Sequence, residues 1–240
     1  MKKTFCIILL SFLFLLGLTG CGTTETTPES TTLPTDEQNT AATDSGTSAP
    51  TTDPGNTLVV YFSMPETTDP NEANMTEEEA NSTVVIDGEV LGNTQYVAYV
   101  IQENTGADIF RIEPETPYPT DHETLVDLAA TEQEENTRPA IKDQIADFAQ
   151  YDTIFVGYPN WWGDMPMILY SFFDDYDFSG KTIIPFNTHG GSGFSNTIQT
   201  ITELEPNATV NQTGFTVSRN DVQEAESDIL DWLNTLGYTN

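Results

Sequence analysis

The chain has 240 residues, of which 38 are Asp or Glu and only 7 are Lys or Arg, so its formal net charge is −31 at pH 7. So few cations cannot neutralise a row of phosphate groups, which excludes nucleic-acid binding. The two cysteines, Cys6 and Cys21, lie near the N-terminus. Neither disulfides nor thiolate metal sites are therefore expected in the folded part of the chain.

Residues 1–20 have the pattern of a signal peptide. A basic start precedes an apolar run at residues 5–18, which is too short to span a bilayer comfortably and ends in small residues. Residues 18–21, LTGC, resemble the lipobox of bacterial lipoproteins. The resemblance implies cleavage before Cys21 and a diacylglyceryl group on its thiol, which would anchor an extracytoplasmic protein to the bacterial cell membrane. The alternative is an ordinary signal peptide followed by an incidental cysteine.

Residues 21–57 start with the cysteine expected to carry lipid and continue as a segment rich in Thr, Ser, Pro, Asp and Glu. This segment holds almost no large apolar side chain beyond Leu33. It cannot bury enough apolar surface to offset the entropy lost on ordering. The sequence therefore predicts a disordered tether at residues 21–57, followed by one folded domain at residues 58–240.

Five apolar runs in the predicted domain have the length and the β-branched or aromatic content of buried strands. They are residues 58–62, 107–112, 153–156, 181–186 and 215–217. Because helical patterns lie between them, the sequence predicts an α/β fold with a doubly wound, five-stranded parallel sheet. A small hairpin that turns at Asp87-Gly88 is predicted at residues 84–90.

The predicted helices are located by capping signals and by apolar positions three and four residues apart. The first predicted helix runs from Gly92 to Gly106. The second begins at a capping box at Thr120–Glu123 and buries Leu125, Leu128 and Ala129, and a short helix follows Pro139. The remaining helices are predicted after Pro166, around Ile198–Leu204 and over residues 222–236.

The central stretch of the sequence is Asp152–Pro166, DTIFVGYPNWWGDMP. The apolar strand is expected to break at Gly157 and Pro159 into a loop that carries Trp161 and Trp162. In open α/β sheets, ligands bind outside the carboxyl ends of the strands, so the indole rings are predicted to form an aromatic wall. Packing of both rings against the core is the alternative.

Three loops are predicted to converge at this edge of the sheet. Gly92-Asn93-Thr94, at a helix start, offers backbone N–H groups and a hydroxyl to an anion. The Trp loop offers an aromatic surface, and residues 188–193 offer unobstructed backbone N–H groups to the carbonyl oxygens of a ring. An anion site, an aromatic wall and backbone donors together predict a site for flavin mononucleotide (FMN).

The chain resembles the flavodoxin family over residues 58–238. The resemblance lies in YFS at residues 61–63, GNT at 92–94, GYPNWWG at 157–163 and THGGSG at 188–193. It implies a flavodoxin-like strand order of 2-1-3-4-5 and bound FMN. The phosphate loop of the family is normally continuous, whereas here 28 residues separate Ser63 from Gly92, and Met64 or Leu91 takes its middle hydroxyl position.

The resemblance also implies which residues bind the cofactor. The phosphate end comprises Ser63, Met64, Gly92, Asn93 and Thr94; the ring wall comprises Pro159, Asn160, Trp161, Trp162 and Gly163; and the ring edge comprises Thr188, His189, Gly190, Gly191, Ser192 and Gly193. Trp161 is the preferred stacking residue because it comes first after the strand. His189 is expected either to donate to the flavin or to be a plain surface histidine.

Other kinds of site find less support. His189-Gly190-Gly191-Ser192 resembles the oxyanion loop of esterases, but the chain has no Gly-x-Ser-x-Gly nucleophile motif. Asp174, Asp175 and Asp177 lack a histidine or a calcium-loop spacing, so a solvated helix end is expected there rather than a metal site. His122 is expected to have an exposed polar role. No metal site and no catalytic residue are predicted.

The predicted function is electron transfer by an FMN-binding, lipid-anchored domain, in which indole stacking and nearby carboxylates lower the reduction potential of the flavin. The electron partner is a protein or a small-molecule acceptor. The acidic charge favours a basic redox protein through electrostatic steering, although a generic acidic surface explains it equally well. The alternatives are a flavin-dependent NAD(P)H:quinone-type oxidoreductase of the same fold, and a non-redox binding module that has lost the cofactor.

Overall fold

Helices and strands alternate along residues 56–238, which are the residues that the computed structural model describes. The predicted signal peptide, Cys21 and the predicted tether up to residue 55 lie outside the described residues. The strands are β1 (Thr57–Tyr61), β2 (Thr83–Ile86), β3 (Glu89–Gly92), β4 (Asp108–Arg111), β5 (Thr153–Pro159), β6 (Thr182–His189), β7 (Thr209–Val210) and β8 (Phe215–Ser218). The α-helices are α1 (Glu77–Ser82), α2 (Asn93–Thr105), α3 (His122–Glu135), α4 (Met167–Asp175), α5 (Thr197–Leu204) and α6 (Glu226–Thr235). None of these helices is long and apolar enough to cross a membrane.

The main sheet is parallel and has the order β4-β1-β5-β6, with both β7 and β8 paired to the far side of β6. This confirms the predicted order 2-1-3-4-5, except that the fifth strand is divided in two. The division lies opposite Pro185, which has no N–H to donate to the ladder. The N–H of Asn211 still donates to Ile183 O (2.8 Å), and the Asn211 side chain then accepts from the N–H of Gly214 (2.9 Å) as the chain bends away.

Both faces of the sheet are buried, because helices cover each side. Val60 and Val156 face the layer that contains α3, α4 and α5, whereas Val59 and Phe155 face the layer that contains α2 and α6. All four side chains have 0% exposure. Burial on both faces explains why the central strands are continuous apolar runs rather than alternating patterns.

Strands β5 and β6 are longer than predicted. Gly157 does not break β5 but pairs with Tyr61 of β1 and Phe186 of β6, and the strand continues to Pro159. A Cβ atom on Gly157 would lie 2.1 Å from the Phe186 ring, so the glycine makes room for that ring. Thr188 and His189, predicted as loop residues, are the last residues of β6 and pair with β8. Both strands continue beyond their predicted ends because the neighbouring strands still offer hydrogen-bonding partners there.

Two predicted helix signals are wrong. The capping box at Thr120–Glu123 is absent, since Asp121 caps α3 by accepting from the N–H of Thr124 (3.0 Å). The stretch after Pro139 is not an α-helix. Its backbone bonds to residues 113–115 instead, with the Lys142 N–H donating to Glu113 O (2.9 Å). The hairpin prediction is confirmed, with β2 and β3 joined at Asp87-Gly88.

Candidate functional site

A cleft of about 230 Å³ lies at the carboxyl edge of β1, β5 and β6. Many of the residues predicted to bind a cofactor meet there. Those that line the cleft are Ser63, Met64, Asn93, Thr94, Pro159, Asn160, Trp161, Trp162, Thr188, His189 and Gly190. The remaining five, Gly92, Gly163, Gly191, Ser192 and Gly193, do not line it. The convergence follows from the parallel sheet, which brings the carboxyl ends of its strands to one edge.

The two halves of the split phosphate loop meet in space. A Cβ atom on Gly92 would lie 2.2 Å from the Ser63 Oγ, so the backbone at Gly92 packs directly against the Ser63 side chain. The inserted residues leave β1 and return to the same point, and the Glu66 N–H donates to Ser82 Oγ (3.0 Å) across the base of the insertion. Gly92 therefore supports Ser63 rather than facing the cleft.

The start of α2 is equipped to bind an anion. Its N-cap, Gly92, has no side chain to accept from the first-turn N–H groups, which lack intrahelical acceptors in any helix. The Thr94 and Thr188 hydroxyls are 2.9 Å apart and tie this helix start to the end of β6. Asn93 donates through Nδ2 to Asn81 O (2.8 Å), while its buried Oδ1 has no partner among residues 56–238. Backbone donors, hydroxyls and the helix dipole thus lie together.

The two adjacent tryptophans occupy different environments. The Trp161 ring is half-buried and makes edge contacts with Phe62 (5.5 Å between centroids) and Tyr118 (5.8 Å), so it is largely a core residue. Trp162 is 60% exposed and lies at the tip of the turn with a φ of 52°, and its Nε1–H donates to Val126 O (3.2 Å) of α3. Trp162 is therefore the indole with a free face, whereas the sequence favoured Trp161.

The loop after β6 is shaped by its own hydrogen bonds. The Gly191 N–H donates to His189 Nδ1 (2.8 Å), so this nitrogen is unprotonated and the neutral ring carries its proton on Nε2. Burial lowers the pKa of His189, which is consistent with a neutral ring. The Asn160 Nδ2 donates to Gly193 O (3.0 Å) and so ties the distal part of this loop to the residue that follows β5.

The other wall of the cleft contains residues that the sequence did not indicate. Glu66, Glu78, Asn81 and Ser82 come from the insertion; His122, Leu125, Val126 and Ala129 come from one face of α3; and Arg219 follows β8. His122 Nδ1 contacts the Glu66 carboxylate at 3.0 Å. Burial raises the pKa of Glu66, and the hydrogen bond with His122 opposes this effect. This wall therefore adds the Glu66–His122 pair and the charged side chains of Glu78 and Arg219 to the cleft.

A comparison with known protein families settles the relationship. The sequence profile of the flavodoxin family matches residues 82–236, more than half of the chain. The chain belongs to the flavodoxin family. No curated protein sequence matches this flavodoxin-family chain significantly.

Solved structures agree with this assignment. A candidate flavoprotein of Bacteroides eggerthii is 26% identical, with a TM-score of 0.57, over 75% of this chain and 96% of the other. A candidate flavoprotein of Bacteroides uniformis is 27% identical, with a TM-score of 0.53, over 71% and 96%. A flavoprotein of Lactobacillus acidophilus, solved in complex with FMN, is 18% identical, with a TM-score of 0.50, over 71% and 97%. The last likeness concerns the fold alone.

Two features of this flavodoxin-family sequence could have shown that the insertion and α3 line the cleft. An insertion between two halves of a ligand loop has both ends at the site, so part of it must lie beside the site. His122, Leu125, Val126 and Ala129 are spaced by one, three and four residues and share one face of a helix. Neither signal identifies which side chains reach the cleft, because that depends on how the insertion and α3 pack against each other.

Proposed function

We propose that this flavodoxin-family domain binds FMN in the cleft and serves as an electron carrier. The observation that carries the proposal is the meeting of three features in one cleft: the donor-rich start of α2, the free face of Trp162, and the end of β6 at Thr188–Gly190. FMN is an anion at one end and a flat aromatic ring at the other. The FMN held by the Lactobacillus acidophilus flavoprotein supports the same ligand here.

The residues present fit FMN in chemical character. The phosphate end would be held by the Ser63 and Thr94 hydroxyls and by N–H groups of the first turn of α2. The ring would lie against Trp162, with His189 available as a neutral donor at its edge. When bound, FMN supplies reversible electron transfer; the protein binds it, orients it and limits its contact with water.

The acidic surface suggests how partners are selected. Glu66 and Glu78 line the cleft of a chain whose formal net charge is −31. Negative charge near the flavin disfavours the addition of electrons, so a low reduction potential is expected. The same charge would steer a basic redox protein toward the cleft and repel acidic proteins. The proposed partner is therefore a basic protein or an uncharged small-molecule acceptor.

Titration with FMN tests the proposal directly. The purified full chain, in mild detergent, should bind one FMN per chain and quench its fluorescence, because a nearby indole can donate an electron to the excited flavin. Flavin absorbance and fluorescence report the titration, and a heat-denatured sample serves as the control. If the folded chain stays colourless with excess FMN, the carrier proposal is wrong and a non-redox binding module is favoured.

A second candidate function is a flavin-dependent reductase of quinone-type acceptors. It is favoured by the Glu66–His122 pair, because proton-exchanging groups beside a flavin serve two-electron chemistry and are not needed by a carrier. The two functions differ in turnover. A reductase oxidises a nicotinamide nucleotide continuously in the presence of a soluble quinone, whereas a carrier does so only when a separate reductase is added.

We also propose that the protein is anchored to the membrane through lipid on Cys21, with the FMN domain on the extracytoplasmic side. Cys21→Ser should abolish labelling by a fatty-acid analogue and release the protein from the membrane fraction, because one thiol carries the whole attachment. Cys6→Ser is the matched control and should label normally, since Cys6 lies in the predicted leader. Equal labelling of wild type and Cys21→Ser would show that the lipobox interpretation is wrong.

A further inference from the structure

Arg219 differs from the other basic residues that the structure describes. Arg138 pairs with Asp174 (2.6 Å) and Lys142 pairs with Glu113 (3.0 Å). Lys181 donates to the carbonyl oxygens of Phe148 and Ala149, and Arg111 donates to Ser63 O (3.3 Å). Within residues 56–238, the Arg219 side chain makes neither a hydrogen bond nor an ion pair. Arg219 is therefore the one basic residue within residues 56–238 whose side chain has no hydrogen-bonded or ionic partner there.

The position of Arg219 is set by the end of β6. Its backbone N–H donates to His189 O (2.7 Å), and its guanidinium lies over Gly190, where a Cβ atom would be 3.4 Å from Cζ. Arg219 lines the cleft together with Thr188 and Thr94, whose hydroxyls are 2.9 Å apart. The chain of contacts from Arg219 therefore leads through the end of β6 to the first turn of α2.

A second route of contacts leads to the same place. Arg219 and Asn81 line both the cleft and a neighbouring cavity of about 310 Å³ beside β2, so they lie at the boundary between the two. The Asn81 carbonyl accepts from Asn93 Nδ2 (2.8 Å), at the first residue of α2. Both routes therefore connect Arg219, through residues that it adjoins, with the first turn of α2, where the helix N–H groups lie.

We infer that Arg219 is a ligand of the flavin phosphate and selects FMN over the unphosphorylated flavin. This inference rests on the proposed function. A guanidinium group forms short, charge-assisted hydrogen bonds with two phosphate oxygens at once. The cleft also contains Glu66 and Glu78, which repel a phosphate dianion. Arg219 offsets that repulsion, and its lack of a carboxylate partner among the described residues leaves it available to do so.

The test compares FMN with riboflavin, which has the same ring and lacks the phosphate. In the full chain, Arg219→Gln should raise the Kd for FMN roughly tenfold to a hundredfold, the range expected for losing hydrogen bonds to a charged group. The Kd for riboflavin should stay within about twofold of the wild-type value, since no phosphate contact is lost. Salt should weaken FMN binding more in wild type than in the variant. Inorganic phosphate should compete with FMN in the wild type only.

Control variants separate a phosphate contact from a general charge effect. Lys142→Gln removes one positive charge from an exposed pair that does not line the cleft, so it should leave both Kd values unchanged. Arg219→Lys should restore part of the FMN affinity, because it keeps the charge and loses the fork of donors. Thermal melts check that each variant is folded.

Three outcomes would overturn the inference. An unchanged FMN Kd in Arg219→Gln would mean that the guanidinium does not bind the phosphate. An equal loss of FMN and riboflavin affinity would mean that Arg219 only positions the loop at Gly190. Loss of riboflavin affinity alone would place the guanidinium at the ring. Absence of FMN binding by the wild type is a different result, because it contradicts the proposed function itself.

Discussion

Replacing Trp161 by Ala should destabilise the folded domain by about 3 kcal/mol, at the lower end of the range for aromatic residues removed from a core. The Trp161 ring packs edge-on against Phe62 and Tyr118, which are both buried. Removal leaves a cavity beside the end of β1 and eliminates two aromatic contacts. A loss of this size is a large part of the stability of a typical domain, so the variant should melt at a clearly lower temperature.

Replacing the next residue, Trp162, by Ala should weaken ligand binding rather than the stability of the fold. Trp162 is 60% exposed and its side chain makes one hydrogen bond, to Val126 O. Trp162→Ala should therefore change stability by less than about 1 kcal/mol and weaken FMN binding by roughly 1–3 kcal/mol, the range for aromatic stacking on nucleobase-sized rings. The fluorescence of bound flavin should also rise.

Thermal melts and FMN titrations on both variants distinguish the two roles, and each variant is the control for the other. The interpretation fails if Trp161→Ala melts like wild type and loses FMN, because Trp161 would then be the stacking residue. It also fails if Trp162→Ala binds FMN with wild-type affinity and unchanged fluorescence. Because the two residues are adjacent tryptophans, a difference between the variants reports the environment of each ring rather than the type of residue removed.

Replacing Gly157 by Ala should destabilise the domain by about 1–3 kcal/mol or more, as expected when a methyl group is forced into a packed core. The added Cβ would lie within 2.1–2.8 Å of three atoms of the Phe186 ring. Both residues lie on central strands that are held on either side, so the ring cannot move away without shifting β5 or β6. Urea denaturation of the full chain measures the change in the free energy of unfolding.

Two further variants test the cause. Gly190→Ala adds the same methyl group where its nearest atoms, at 3.4 Å, belong to the flexible Arg219 side chain, so its stability should be close to that of wild type. Phe186→Leu shortens the opposing side chain, and in that background Gly157→Ala should cost less than it does alone. Additive costs in the double variant would show that the clash with Phe186 is not the reason for the glycine.

The central strands were predictable because each is buried on both faces and appears in the sequence as an unbroken apolar run; their order was implied by the resemblance to the flavodoxin family. The ends of β5 and β6 were not predictable. Gly157 and Pro159 are turn signals when judged locally, yet they lie in a strand because β1 and β6 continue to pair with it. The helix expected after Pro139 does not form, again because of contacts with a segment distant in sequence. Its backbone is bonded to residues 113–115, which the local pattern cannot reveal.

The candidate site was predictable in its parts. Parallel strands deliver their carboxyl ends to one edge, so the Gly-Asn-Thr helix start, the Trp loop and the end of β6 were expected to meet there. Which of Trp161 and Trp162 packs against the core and which faces the ligand was not predictable, because adjacent residues in a turn point in different directions. Trp162 has a positive φ, and its ring donates a hydrogen bond to Val126 of α3 rather than packing into the core.

The amino-acid sequence by itself determined the fold class and the edge of the sheet at which a ligand would bind, because those depend on patterns within each segment, and its resemblance to the flavodoxin family implied the strand order. Only the tertiary structure decided which side chains line the cleft. The Glu66–His122 pair joins residues 56 positions apart, and Trp162 reaches Val126 across 36 positions. Arg219 lies over Gly190 through the pairing of β6 with β8. Such contacts depend on how separate elements pack together, which no local pattern of residues encodes.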